Sequence, residues 1–222
     1  MKKVIFLSVI LVFLNCCSKE NDSPDDLVVK NANIELKAGG TAQIELTSSL
    51  PVTYTSANEF NASVSTSGLV QANKVGKTEI SITNTVKTAK VNVSVTPVYS
   101  TYKDPYLNFG ATRADVIKAA GEPSKTNEYE DLIYENYSNA AILGIYYFEN
   151  DKLVGFDVEI RDSYKSELDN FLIERYVKNS SVEGIEWALY INSLNYNTAT
   201  MTIIVWRDAE SSNIIVSYKE KE

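Results

Sequence analysis

Short runs of alternating apolar and polar side chains mark residues 27–96. Ile34-Glu35-Leu36 alternates, as do Ala42-Gln43-Ile44-Glu45-Leu46 and the stretch from Thr78 to Thr83. Val91, Val93 and Val95 repeat the pattern before the segment closes. A period of two puts every second side chain on one face of an extended strand, so each run predicts a strand with one buried face. Gly39-Gly40, Gly68 and Gly76 fall between the runs as turn signals. Many short strands with glycine punctuation predict an all-β sandwich. A unit this small buries only a modest core.

From residue 97 onward the pattern changes. Thr112 stands where a helix N-cap belongs, with Asp115 three residues on as a carboxylate capping box. Val116, Ile117 and Ala120 give that helix an apolar face, and Gly121 and Pro123 stop it. Strand patterns follow at Asp131–Tyr137, Ala141–Glu149 and Lys152–Asp162, with Asn150-Asp151 as a hairpin turn. A second helix is expected over Ser163–Lys178 from the spacing of Leu168, Phe171, Leu172 and Tyr176. Three more strands are expected at Ile185–Asn192, Thr200–Arg207 and Asn213–Lys219. The order αβββ-αβββ predicts an α+β domain over 97–222, an antiparallel sheet with helices on one face.

Composition moves the same boundary into view. Residues 27–96 hold one tyrosine and no tryptophan; residues 97–222 hold the other thirteen tyrosines and both tryptophans. Six basic and four acidic residues give the first segment a charge of +2, while twelve and twenty-one give the second −9. Pro97 sits at the break. Ahead of both, Met1-Lys2-Lys3 and the apolar run Val4–Leu14 have the form of a secretory signal, too short to span a bilayer. Ser18 to Asp26 carries no apolar side chain and reads as a solvated acidic tether. The expected organisation is therefore a signal over 1–16, a tether over 17–26, a β-sandwich unit over 27–96 and a second domain over 97–222.

Whole classes of chemistry drop out. The chain has no histidine, which removes imidazole catalysis and His-ligated metals. Its two cysteines, Cys16 and Cys17, are adjacent and offer no disulfide framework. A net charge of −8 with no basic patch argues against nucleic acid. No glycine-rich phosphate loop and no run of spaced acidic ligands for calcium occur, so no cofactor or metal is expected. Asp157 and Glu159 share one strand face at a spacing of about 6.8 Å, but with Arg161 beside them they read as a solvated face rather than a catalytic pair.

Four resemblances add to this. Leu14-Asn15-Cys16-Cys17-Ser18 resembles the lipobox of bacterial lipoproteins, which implies a diacylated cysteine and a membrane anchor. Cleavage before Cys17 leaves the small Cys16 at the −1 position, which makes Cys17 the favoured acceptor and Cys16 the alternative. Gly39-Gly40-Thr41, Val52 to Asn58, Ala62-Ser63-Val64, Gly68-Leu69-Val70 and Gly76-Lys77-Thr78 with Ile80 resemble the bacterial Ig-like group 2 family. That family implies a β-sandwich common in surface proteins, often as a stalk. Gly110 to Val116, Gly121-Glu122-Pro123, Tyr134 and Phe148 to Leu153 resemble the SmpA/OmlA family of outer-membrane lipoproteins. The doubled αβββ order is also similar to the β-lactamase inhibitory protein fold. Both imply protein binding without catalysis.

If helices cover one side of the sheet, the other side is expected to hold Tyr147 (or Tyr146), Tyr190 and Trp206 as a recognition surface, since tyrosine and tryptophan dominate binding hot spots. The expected function is a lipid-anchored, non-enzymatic protein of the bacterial outer membrane, exposed at the surface. Its Ig-like stalk would present a domain that binds a protein or glycan. An outer-membrane assembly accessory and a proteinaceous enzyme inhibitor are the alternatives.

Overall fold

Nine short strands form where the alternation of the first segment places apolar side chains on one face. The computed structural model describes residues 26–181 and 187–221. The strands are β1 (Leu27–Val29), β2 (Asn33–Lys37), β3 (Thr41–Gln43), β4 (Leu46–Ser48), β5 (Thr53–Ser56), β6 (Ala62–Val64), β7 (Leu69–Ala72), β8 (Gly76–Thr83) and β9 (Thr88–Thr96). One sheet runs β2-β9-β8-β5, a second runs β3-β7-β6, and β1 pairs with β4. β2 lies parallel to β9; the other pairs are antiparallel. Ile80, Ile82, Val91, Val93 and Val95 from the larger sheet close over Ala62, Val70 and Ala72 from the smaller one. Lys77, Glu79, Lys90, Asn92 and Ser94 take the alternate positions on β8 and β9, so the outer face is polar.

The rest of the chain builds one large sheet. Helix α1 (Arg113–Ala120) is followed by β10 (Lys125–Thr126), β11 (Leu132–Glu135), β12 (Ala141–Glu149) and β13 (Lys152–Ile160). Helix α2 (Lys165–Ile173) is followed by β14 (Val177–Ser181), β15 (Trp187–Ile191), β16 (Met201–Arg207) and β17 (Ile214–Glu220). All eight strands join in the order β10-β11-β12-β13-β17-β16-β15-β14, antiparallel throughout. The hairpin between β12 and β13 turns on Asn150 and Asp151, both with positive φ (50° and 60°). Asparagine and aspartate tolerate that region best among residues with a side chain.

The expectation of an α+β domain does not hold. The described residues are nearly all β in their regular structure, with 47% of them in strands and 12% helical. The two helices are only eight and nine residues long. α1 buries one side chain, Val116, and α2 buries three, Leu168, Phe171 and Leu172. Much of what packs on the covered face of the sheet is irregular chain instead. Tyr102 is buried there, and Tyr99, Tyr106, Leu107 and Phe109 pack against the same core. The second helix also stops sooner than its spacing predicts. Asp162–Tyr164 is a 3-10 turn, and Val177 and Lys178 already pair with Ile191 and Tyr190 as β14. Tyr176, which continues the helical spacing, packs edge-on against Tyr218 at 6.0 Å from just outside that strand. Each helix thus leads four strands rather than three.

Two cores result. One draws its buried residues from Ile34 to Val95, the other from Tyr102 to Tyr218.

Candidate functional site

The register of the large sheet decides what each face carries. Tyr190 pairs with Ile203, Ile203 with Tyr218, Tyr218 with Phe156, and Phe156 with Tyr146. Directly paired residues share a face. This row crosses the sheet on its covered side, where Tyr146, Phe156 and Tyr218 are fully buried and their rings pack tilted, with centroids 4.4 and 6.0 Å apart. Burial pushes the Tyr190 phenol up to about 12, with the nearby Asp169 carboxylate adding to the rise.

The neighbouring rows form the open face. Trp206 pairs with Ile215, Ile215 with Glu159, and Glu159 with Leu143. One step along, Leu189 pairs with Ile204, then Ser217, Asp157 and Ile145. Tyr147 lies at the next row, opposite Gly155. The centre of this face is a shallow depression of ≈ 160 Å³ lined by Leu143, Ile145, Tyr147, Asp157, Glu159 and Ile215. Ile204, at 36% exposure, is an apolar side chain on the same face facing water.

The two carboxylates are held by neutral donors. Ser217 Oγ donates to Asp157 Oδ1 at 2.5 Å, and the Tyr147 hydroxyl donates to Asp157 Oδ2 at 3.2 Å. Asn213 Nδ2 donates to Glu159 Oε1 at 2.7 Å. Burial raises the Asp157 carboxyl above its ordinary value, against the opposing pull of the Ser217 and Tyr147 hydrogen bonds. The Tyr147 phenol is raised too, first by burial and then by the Asp157 charge. Desolvation thus disfavours the ionised form of Asp157, which is set among isoleucine and leucine side chains.

The sequence-expected site residues therefore separate. Tyr147 and Trp206 reach the open face, both half-buried. They stand four residues and three strands apart, about 20 Å from corner to corner. Tyr190 does not join them. It is 1% exposed and belongs to the core, because its partner across the strand is Ile203, of opposite parity to Trp206. Tyr146, named as the alternative to Tyr147, is buried as well. Cys16 and Cys17, with the whole signal and nearly all of the tether, lie outside the described residues. Leu143, Ile145, Ile204 and Ile215 were not expected at the site. Alternation puts Ile204 on the face of Trp206 and Leu143 and Ile145 on that of Tyr147, and only the register places them beside Asp157 and Glu159.

Four other acidic residues have structural partners. Asp131 is 6% exposed and accepts from the Phe148 amide at 3.1 Å and from Asn127 Nδ2 at 3.0 Å. Glu130 and Asp151 both face Arg113, at 3.5 and 2.7 Å. Glu135 pairs with Lys125. Among the described residues no group of three or more acidic or sulfur ligands is placed to hold a metal. No described helix is long and apolar enough to cross a membrane.

Comparison with solved structures gives distant likenesses. An intimin mutant from EHEC O157:H7 is 18% identical over 47% of this chain and 62% of its own, with a TM-score of 0.30. Domains 4–9 of the surface layer protein SbsC are 13% identical over 89% of this chain and 27% of their own, with a TM-score of 0.30. The Bacteroides ovatus protein SGBP-B, solved with a mixed-linkage heptasaccharide, is 12% identical over 89% of this chain and 62% of its own, at 0.29. The chain thus spans less than two thirds of each of these three. No curated protein matches the chain. A family model does match, over the segment whose strands form the first core: residues 24–96 match the bacterial Ig-like domain (group 2).

Proposed function

We propose that this is a lipid-anchored, non-enzymatic protein of the bacterial outer membrane, displayed at the cell surface. Its Ig-like unit raises the eight-stranded sheet, whose open face binds a protein or glycan ligand. One observation carries the reading: an antiparallel sheet that the described residues cover on one side, with Tyr147, Trp206, Ile204 and the Asp157–Glu159 pair on the other. A surface of this kind pairs apolar contact area with acceptors of fixed position, which is how compact recognition sites gain both affinity and orientation. The lipobox at Leu14–Ser18 supports the anchor, and the Ig-like domain supports a surface setting.

Two measurements test it. Replacing Trp206 and Tyr147 together with alanine abolishes capture of the envelope ligand by the full chain, with far-UV circular dichroism unchanged; capture that survives the double change overturns the open face as the binding surface. Labelling with a radioactive fatty acid marks the wild type and the Cys16→Ser variant but not Cys17→Ser. Label retained on Cys17→Ser moves the anchor to Cys16, and label absent from every form removes it.

A further inference from the structure

A helix end leaves its last carbonyls without intrahelical partners and carries partial negative charge. At the end of α2 two such carbonyls, of Ile173 and Glu174, are taken by the Ig-like unit. Lys74 Nζ donates to the Ile173 carbonyl at 2.5 Å, and the Val75 amide donates to the Glu174 carbonyl at 2.8 Å. The Glu174 side chain, 7% exposed, reaches the connecting segment just past Pro97. Its Oε2 accepts from the Val98 amide at 2.9 Å and its Oε1 from the Tyr99 amide at 3.0 Å. Arg175 then closes the cluster. Its Nη1 lies 2.5 Å from Glu174 Oε1, its Nε 2.7 Å from Asp104 Oδ1, and its guanidinium carbon 3.6 Å from the centre of the Phe171 ring.

The Ig-like side of this contact is built in advance. Asn61 is 8% exposed, and its Nδ2 donates to the Val75 carbonyl at 3.1 Å while its own carbonyl accepts from the Asn73 amide at 2.8 Å. Gly76, at φ 145°, packs so closely on Asn61 that any Cβ would fall on the Asn61 amide. The loop carrying Lys74 and Val75 therefore has one shape before it meets α2.

We propose that Lys74, Val75 and Glu174 form an interdomain latch that closes as a single contact and fixes the Ig-like unit behind the sheet, so that the two units move as one body. A carboxylate this buried is costly unless every acceptor position is filled. Glu174 fills its positions from the connecting segment, while its backbone carbonyl takes the Ig-like amide. Both sets of donors thus depend on one residue, and neither can leave without exposing the other. The Lys74 amine is half-buried at the joint, and that desolvation lowers it. Because α2 packs on the covered side of the sheet, the latch holds the Ig-like unit away from the open face.

Hydrogen exchange on the full chain, followed by mass spectrometry, tests this. In the wild type the amides of Val75, Val98 and Tyr99 exchange at least about 100-fold more slowly than unstructured peptide. Glu174→Ala accelerates Val98 and Tyr99, whose acceptor it removes. It also accelerates Val75, whose acceptor is the retained backbone carbonyl. Lys74→Ala, a change at the edge of the Ig-like unit, accelerates Val98 and Tyr99, which Lys74 does not touch. Reciprocal acceleration is the signature of one coupled contact. The amides of Val93 and Val216 stay slow in both variants, showing that the cores are intact. Acceleration confined to the direct partners of each substituted residue overturns the latch, as do wild-type amides that exchange like free peptide. If Glu174→Ala does not fold, Lys74→Ala decides alone.

Discussion

Asp157 occupies the middle of the open face, and its environment sets a measurable pH response. Burial raises its carboxyl above the ordinary value, with the Ser217 and Tyr147 hydroxyls pulling the other way. In the window between the ordinary and the raised value, the folded chain holds a proton that the unfolded chain has released. Stability from this group is therefore present below the window and is lost as pH rises through it. Asp157→Asn has no such proton. The difference in Tm between wild type and Asp157→Asn should shift toward the wild type as pH falls from about 7 to about 4. Parallel thermal melts read it directly, and a difference that does not change with pH means that Asp157 titrates as it would in water. Strand alternation was enough to put Asp157 and Glu159 on one face together. It was not enough for Tyr190, because alternation orders residues within a strand, whereas the face a strand shares with its neighbour depends on the pairing register. A one-residue slip exchanges the faces. Tyr190 and Trp206 sit on neighbouring strands of opposite parity, and nothing in either strand alone says so.

At the scale of elements, α1 was legible because its signals are local. The Thr112 hydroxyl accepts from the Asp115 amide at 3.3 Å while Asp115 Oδ2 accepts from the Thr112 amide at 3.1 Å, the reciprocal pair that Thr-x-x-Asp announces. Hydrogen bonds from the Thr112 side chain and amide hold the Asp115 carboxyl below its ordinary value. Thr112→Ala removes one half of this cap and should cost about 1 kcal/mol, seen as a lower urea midpoint at unchanged m. An unchanged midpoint would show that α1 is held by Val116 and its packing alone. α2 was legible only in part. Leu168, Phe171 and Leu172 keep helical spacing and are buried, but the sequence puts no glycine or proline after Ile173 to end the helix. What ends it is tertiary. Glu174 and Arg175 are drawn into the joint with the Ig-like unit, and Val177 is drawn into pairing with Ile191. The same limit explains the fold class. The irregular segment holding Tyr99, Tyr102, Tyr106, Leu107 and Phe109 has no periodicity to read, yet it covers sheet that longer helices were expected to cover.

For the whole molecule, the two cores make a separable prediction that the distribution of tryptophan allows to be read. Both tryptophans, Trp187 and Trp206, lie in the eight-stranded sheet, and the Ig-like unit has none. Tryptophan fluorescence therefore reports the sheet alone, whereas far-UV circular dichroism reports strands of both units. Ile80 is fully buried in the first core, among Val91, Val93 and Ile82. Ile80→Ala should cost about 2–5 kcal/mol there, through lost burial and the cavity left behind. If residues 27–96 and 97–222 are distinct cooperative units, a urea titration of Ile80→Ala shows an early circular-dichroism phase that fluorescence does not follow. The fluorescence midpoint then falls only by what the joint through Glu174 contributes. Coincident curves that fall together would mean that the chain melts as one unit, with the boundary at Pro97 a change of composition and not of cooperativity. The intermediate result is the most informative about mechanism. A small fluorescence shift on Ile80→Ala that disappears when the same change is made in a Glu174→Ala background assigns the coupling to the Glu174 carboxylate, because that background already lacks it.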